Sequence, residues 1–455
     1  MVKDLTQGKP MRIIIGFAIP LLLGMLFQQF YSLVDTVIVG KTLGVDALAA
    51  VGSTGSINFL IIGFCMGACA GFTIPIAQRF GAKDYDSMRK YVANSVWISA
   101  IFAVVMTIVT VALCRSILIW MRTPENILDG AYLYIVVIFA GIPVTYLYNL
   151  LSGIIRSLGD SKTPVYFLVL SSILNIALDF AFILGLHTGV EGAAYATVIS
   201  QGASGILCLF YMRKKYEILK MSKYDWKFDG HIAGILCGMG VPMGLQYSIT
   251  AIGSVILQSA VNTLGSSVVA AVTAAGKING FLACPFDAMG STMATYGGQN
   301  VGAKRLDRVS QGLKSCVILG VGYSVIALGI VFLFATPLEL MFLDASEVEI
   351  MAQARIFLII NVCFFIPLAL VNIVRFLIQG MGFPKFAVFA GVFEMIARAF
   401  VGFFLVPVFG FMAACFASPA AWILADCFLI PAYISCHKKL GRIFAPAVDS
   451  SGEMR

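Results

Sequence analysis

The chain has 455 residues, 60% of them hydrophobic and only 12% charged, with a formal net charge of +8 and a mean hydropathy of +0.93. A soluble domain carries roughly 25% charged residues, so this composition excludes a large soluble body and leaves no room for a catalytic or nucleotide-binding domain. The positive balance reads as membrane topology, and nucleic-acid binding is not expected.

About 20 apolar residues are needed to cross about 30 Å of hydrocarbon. Twelve such stretches follow one another at 13–39, 47–77, 91–113, 130–155, 165–187, 189–211, 232–263, 268–298, 311–335, 352–378, 384–407 and 410–435. Strand-type alternation is absent, so helices must satisfy the backbone in lipid. The first stretch follows Lys3, Lys9 and Arg12 like a signal peptide, but it is too long for a signal core and lacks a cleavage site. It is expected to stay as the first helix. Within it, Asp35-Thr-Val-Ile-Val-Gly40-Lys41-Thr42 comes close to a phosphate-binding loop, but Asp35 stands where the first glycine belongs. The eleven cysteines include no Cys-x-x-Cys; Cys65 and Cys69, one turn apart in the second stretch, read as apolar packing.

The second half repeats the first. Gln78-Arg-Phe-Gly81-Ala82-Lys83 recurs 221 residues later as Gln299-Asn-Val-Gly302-Ala303-Lys304, and Leu43-Gly44 with Ala49-Ala50 recurs as Leu264-Gly265 with Ala270-Ala271. Asn149, Gly159 and Lys162 find partners in Asn372, Gly382 and Lys385, and Pro20 in Pro242. Six spans return a chain to its starting side, so both halves insert the same way up. The expected fold is an all-α membrane protein of twelve helices in two six-helix bundles, with pseudo-two-fold symmetry about the membrane normal. The divisions are 1–211 for the N-terminal bundle, 212–231 for a cytoplasmic linker, 232–437 for the C-terminal bundle and 438–455 for a cytoplasmic tail. The linker holds Arg213, Lys214, Lys215, Lys220, Lys223 and Lys227, suited to anionic headgroups.

Orientation follows the basic residues. With the N-terminus inside, Lys3, Lys9, Arg12, Arg79, Lys83, Arg89, Lys90, Arg156, Lys162, the linker, Lys304, Arg305, Arg308, Lys314, Arg375 and Lys385 fall inside. Only Lys41, Arg115, Arg122 and Arg355 fall outside. Both termini are therefore expected in the cytoplasm.

Ionisable groups inside a bilayer cost about 2.5–3.5 kcal/mol each, so each asks for a reason. They are Asp35, Asp179, Lys277, Asp287, Glu394, Arg398 and Asp426. Asp35 and Asp179 both fall in the outer halves of outward-running helices. Asn175 lies one turn from Asp179, and Thr197 enters on the next helix at comparable depth. Two carboxylates in a low-dielectric pocket cannot both ionise cheaply, which suits them to load a proton on one side and release it on the other. Glu394 and Arg398, four apart, read as an internal ion pair. Lys277 and Asp287 are candidates to line a cavity, Asp287 attracting a cation. Pro20 shares a helix with Asp35 and reads as a hinge; Pro143 and Pro367 occupy matching spans, where they read either as hinges or as the ordinary abundance of proline in membrane helices. With three histidines, no His-Glu-x-x-His and no aspartate-rich pair, the chain offers no enzyme site and no metal site or cofactor.

Taken together, the paired Gln-x-x-Gly-Ala-Lys turns, the spacing from Pro20 to Asp35, Leu43-Gly-Val-Asp-Ala-Leu-Ala-Ala-Val-Gly52 and Arg156-Ser-Leu-Gly-Asp-Ser-Lys-Thr-Pro164 resemble the multidrug and toxic compound extrusion (MATE) transporters over the whole chain. The resemblance implies export of organic cations driven by H+ or Na+ entry. It assigns ion coupling to Asp35, Asn149, Asn175, Asp179 and Thr197, with Na+ an alternative occupant at Asp35 and Asp179. Some members place coupling carboxylates on helices 7 and 10, but 232–263 and 352–378 contain no Asp or Glu, so coupling is expected in the N-terminal half. The expected protein is thus a monomeric, multi-pass antiporter of the plasma (inner) membrane, moving amphipathic, cationic compounds. The rival is a flippase for a lipid-linked substrate, disfavoured by five intramembrane acids against two bases.

Overall fold

The computed structural model describes residues 3–121, 123–344 and 346–445; Arg122 and the tail from 446 onward lie outside them. Among the described residues, ten helices are long and apolar enough to cross a membrane, and two bent pairs bring the spans to twelve. The first half comprises α1 (Pro10–Leu43), α2 (Val45–Ser53), α3 (Gly55–Gly81), α4 (Tyr85–Trp120), the bent pair α5 (Glu125–Ala140) and α6 (Ile142–Ser157), α7 (Lys162–Asp179) and α8 (Val190–Lys215). The second comprises α9 (Gly230–Asn262), α10 (Ser266–Gly302), α11 (Leu306–Glu339), the bent pair α12 (Val348–Cys363) and α13 (Phe365–Gly380), α14 (Pro384–Phe400), the short α15 (Val406–Phe409) and α16 (Phe411–Phe444).

The duplication extends to the backbone. Each half has one broken span, bent by 47° between α5 and α6 and by 51° between α12 and α13. Pro143 and Pro367 stand in the first turns after these breaks, where a missing N–H costs no helical hydrogen bond. Each half also has a π-helical segment, Phe180–Gly185 after α7 and Val401–Leu405 after α14. Left-handed residues match as well: Gly44 with Gly265 (φ 88° and 99°), Gly159 with Gly382 (83° and 96°), and even Lys83 with Lys304 (58° and 57°). Such a conformation is unusual for a lysine, so its recurrence marks the two Gln-x-x-Gly-Ala-Lys turns as one structure used twice.

We call the side on which α1 begins and α16 ends the terminal face, and its opposite the distal face. The linker between the halves folds back on α4 at the terminal face. Trp97 donates to the Trp226 carbonyl (3.1 Å), and the Asp229 N–H donates to Asn94 (2.9 Å). Asp229 then caps α9 by accepting from the His231 N–H at 2.8 Å.

Two large apolar cores follow the halves, with an exchange at the terminal face. The first turns of α1, through Ile13, Ile14, Phe17 and Leu21, pack into the core of the second half, whereas Ile38 and Val39 at its other end belong to the first. The second half mirrors this: Ile232 and Leu236 at the start of α9 sit in the first half's core, and Ala260 and Val261 at its end pack with the second half.

Candidate functional site

Between the halves, α3 and α9 cross without room for side chains. A Cβ at Gly67 would fall 2.6 Å from the Met243 carbonyl, and one at Gly244 2.9 Å from that of Phe64. Gly71 meets Gly240 directly. Glycines at four-residue spacing let membrane helices approach backbone to backbone. Nearer the terminal face, the paired turns clasp one another. A Cβ at Gly81 would run into the Gln299 carbonyl, and one at Gly302 into that of Gln78. Gln78 donates to the Gly380 carbonyl (3.0 Å), and Gln299 to that of Ser157 (2.8 Å). Each half's glutamine thus caps the other half's bent span. The Gln299 side-chain Oε1 also accepts from the Leu5 N–H at 2.9 Å. Arg308 reaches the Gly8 carbonyl at 3.0 Å, so the segment before α1 is threaded into the same seam. The halves are closed at this face, and two cavities lie on the distal side of the closure.

The first cavity, about 240 Å³, lies within the first half among α1, α3, α5, α6, α7 and α8. Its lining includes Asp35, Asn149, Asn175 and Thr197, four of the five residues assigned to ion coupling. The fifth, Asp179, is fully buried at the junction of α7 with its π-helical segment, and its carboxyl lies against that of Asp35. Asn175 donates to the Thr197 hydroxyl at 3.4 Å, which in turn donates to the Ala193 carbonyl at 3.1 Å. Asn149, on α6 just past the bend, lines the cavity and donates to the Thr145 carbonyl (2.9 Å). Both Asp179 oxygens, one Asp35 oxygen and the side-chain carbonyl oxygens of Asn175 and Asn58 are buried without a hydrogen-bond donor among the described residues. A convergent, all-oxygen set of this kind suits a proton or a hard cation. Tyr31, Asn58, Tyr134 and Gln201 are also part of the lining. Sequence reasoning missed them, because neutral polar side chains in apolar helices carry no charge signal.

The second cavity, about 420 Å³, lies on the other side of α1, among α1, α9, α10, α12, α14 and α16. Lys277 and Arg398 line it, and none of the described lining residues is acidic. Asp287 is exposed on the same face of α10. It lies between this lining and Ser291 and Thr295, which border a smaller central cavity of about 140 Å³.

The predicted Glu394–Arg398 pair is present at 3.5 Å, but it is half of a larger cluster. Arg375 also pairs with Glu394, both side chains being at most 6% exposed. Arg375, counted from sequence with the charges of the inner loops, is therefore an interior residue. Arg156 likewise borders the central cavity between the halves. Both sit on the terminal-face ends of bent spans, where position along the chain suggested headgroup contact. The bends turn them inward. The intramembrane count of five acids to two bases becomes five to four. Pro20 lies inside a continuous α1.

Comparisons with known proteins agree with this architecture. The sequence profile of the MatE family matches residues 20–181 and again 242–404, once per half. A "Probable multidrug resistance protein YoeA" of Bacillus subtilis (strain 168) is 31% identical over 73% of each chain. A second, "Probable multidrug resistance protein YpnP" of the same organism, is 29% identical over 67% of this chain and 68% of its own. Among solved structures, the outward-facing conformation of a multidrug resistance MATE family transporter of the MOP superfamily superposes with a TM-score of 0.89. It is 24% identical, covering 96% of this chain and 98% of that one.

Proposed function

This chain belongs to the MatE family of multidrug efflux transporters, and we propose from that premise that it is an antiporter exporting amphipathic organic compounds in exchange for H+ or Na+. The observation that carries the coupling is the contact between the Asp35 and Asp179 carboxyls beside a pocket of orphaned oxygens. Two carboxyls in contact hydrogen-bond only when they share a proton, and a hard cation is the alternative way to hold them together.

In this reading the terminal face is cytoplasmic, the membrane is the plasma (inner) membrane, and the structure is an outward-facing state of a monomer. An ion entering from outside binds at Asp35 and Asp179, with Asn175, Thr197 and Asn149 completing its shell. Neutralising the pair lets α1 move against α7, bending at Pro20, and this shift expels substrate outward. Asp287, exposed in the interior, faces the substrate's cationic part. The driving force is about 2.3 kcal/mol per charge per 100 mV, plus about 1.4 kcal/mol per pH unit. One or two ions per cycle then support export against one to a few orders of magnitude of concentration.

The test is uptake of a fluorescent organic cation into everted vesicles under separately imposed pH and sodium gradients, comparing the natural protein with Asp35→Asn. Gradient-driven uptake by the natural protein and its loss in the variant are expected. Normal uptake by Asp35→Asn would sink the coupling assignment, and no movement under either gradient would sink the antiport reading.

A further inference from the structure

The two distal cavities are the same cavity built twice, with the charge reversed. Asp35 of the first corresponds, 222 residues on, to Leu257 of the second, and Ser32, which borders both, to Ser254. Tyr134 corresponds, 223 residues on, to Phe357, and Asn175 to Arg398. The π-helical segments following α7 and α14 complete the equivalence. Where the first half places a carboxylate and an amide, the second places an apolar side chain and a guanidinium. Lys277 then adds a second cation from α10.

The positive charge there is only partly answered. The Glu394 carboxylate is shared between Arg398 and Arg375, so it neutralises one guanidinium's worth of charge between two. Asp426 and Asp287 act on Arg375. The Arg398 Nη1 is buried without an acceptor among the described residues. Lys277 is exposed in the cavity and has no ion-pair partner among the described residues. Around the two cations stand the neutral polar side chains of Gln29, Ser32, Gln258 and Ser418, and Ser254, whose hydroxyl already donates to the Thr250 carbonyl at 3.1 Å. A cationic pocket with hydroxyl and amide donors and no carboxylate is built for an anion.

We propose that the second-half cavity binds an acidic group of the transported compound, so that the substrates are zwitterionic amphiphiles: an apolar body, a cation facing Asp287 and a carboxylate or comparable anion held by Lys277 with Arg398. Lys277 and Asp287 are ten residues apart on one helix, about 15 Å along its axis, a span an extended drug-sized molecule can bridge. This rests on the antiport reading and names the substrate class of that transporter. The duplication has thereby divided the labour, the acidic copy taking the coupling ion and the basic copy the substrate's anion.

The experiment compares two dyes differing only at the acid: rhodamine B, with a free carboxylate beside its cationic ring system, and its ethyl ester, a cation alone. Binding to the purified full chain is read by fluorescence anisotropy. Rhodamine B is expected to bind about tenfold more tightly than the ester, the worth of one charge-assisted hydrogen bond. Lys277→Gln should bring the ratio close to one, and Lys277→Arg should preserve it. Equal or tighter binding of the ester to the natural protein, or an unchanged ratio in Lys277→Gln, would overturn the proposal. Vesicle flux separates the two readings. Gradient-driven movement of both dyes without a carboxylate preference in binding leaves antiport standing and removes the anion site. A Lys277-dependent preference with no gradient-driven flux does the reverse.

Discussion

Gln299→Ala removes two hydrogen bonds that join the halves at the terminal face: the donation to Ser157 at 2.8 Å and the acceptance from Leu5 at 2.9 Å. Gln299 is fully buried, so no water replaces these bonds while the face stays closed. At about 1 kcal/mol each, their loss shifts the balance by about 2 kcal/mol towards states in which the seam is open. That is roughly a thirtyfold change in the opening constant. Gln78 makes a single bond of the same kind, to Gly380, so Gln78→Ala should give only about a fivefold change. Hydrogen–deuterium exchange on the purified protein reads this directly, because exchange rates of transiently opened amides scale with the opening constant. Peptides covering residues 3–8 and 299–304 should exchange about thirtyfold faster in Gln299→Ala, with distal peptides of α1 unchanged. Uniform acceleration along the whole chain would mean general destabilisation, and no acceleration would mean the glutamines do not hold the face shut. Either result refutes the argument.

Two further outcomes follow from the buried charges and loop chemistry. Glu394→Gln leaves two buried guanidiniums without their shared carboxylate and should cost about 3–5 kcal/mol, visible as a marked fall in Tm; an unchanged Tm would deny the cluster a structural role. Asp160, between α6 and α7, would have its carboxyl raised by burial alone, but the hydrogen bonds it accepts, those from Thr163 and Tyr216 among them, together outweigh that and hold it below its ordinary value of 3.8. A depressed folded value means stabilisation that is present above 3.8 and is lost as pH falls below it. Thermal stability of the natural protein should therefore exceed that of Asp160→Asn at neutral pH and converge with it in acid, and a constant difference between them would contradict the assignment.

The spans, their number and the duplicated plan were legible because apolar length and a shared polar turn survive in one dimension. Asp35 and Asp179 were legible for the same reason: a carboxylate in an apolar run is conspicuous. Arg375 and Arg156 misled because a basic residue near a span's end ordinarily reaches the headgroups, and only the bends before α6 and α13 show that these ends turn inward. The clasp at Gln78 and Gln299 was visible as a repeat, yet its reciprocity is a property of two turns meeting in space. The relation between the two cavities was hidden too, since Asp35 aligns with an unremarkable Leu257 and the charge reappears on different helices, at Arg398 and Lys277.

The exchange of helix ends between the cores bears on how the chain is made. When α1 enters the bilayer, Ile13, Ile14, Phe17 and Leu21 have no protein surface to meet, because the helices they pack against are synthesised more than two hundred residues later. In water such an interval would invite aggregation. In hydrocarbon it is harmless, since lipid solvates these side chains as well as a protein core does. The first bundle, in turn, cannot finish its interior until Ile232 and Leu236 arrive at the head of α9. Neither half is a complete folding unit during translation, and a ribosome stalled after α8 would leave behind a first bundle whose terminal-face interior is unfinished.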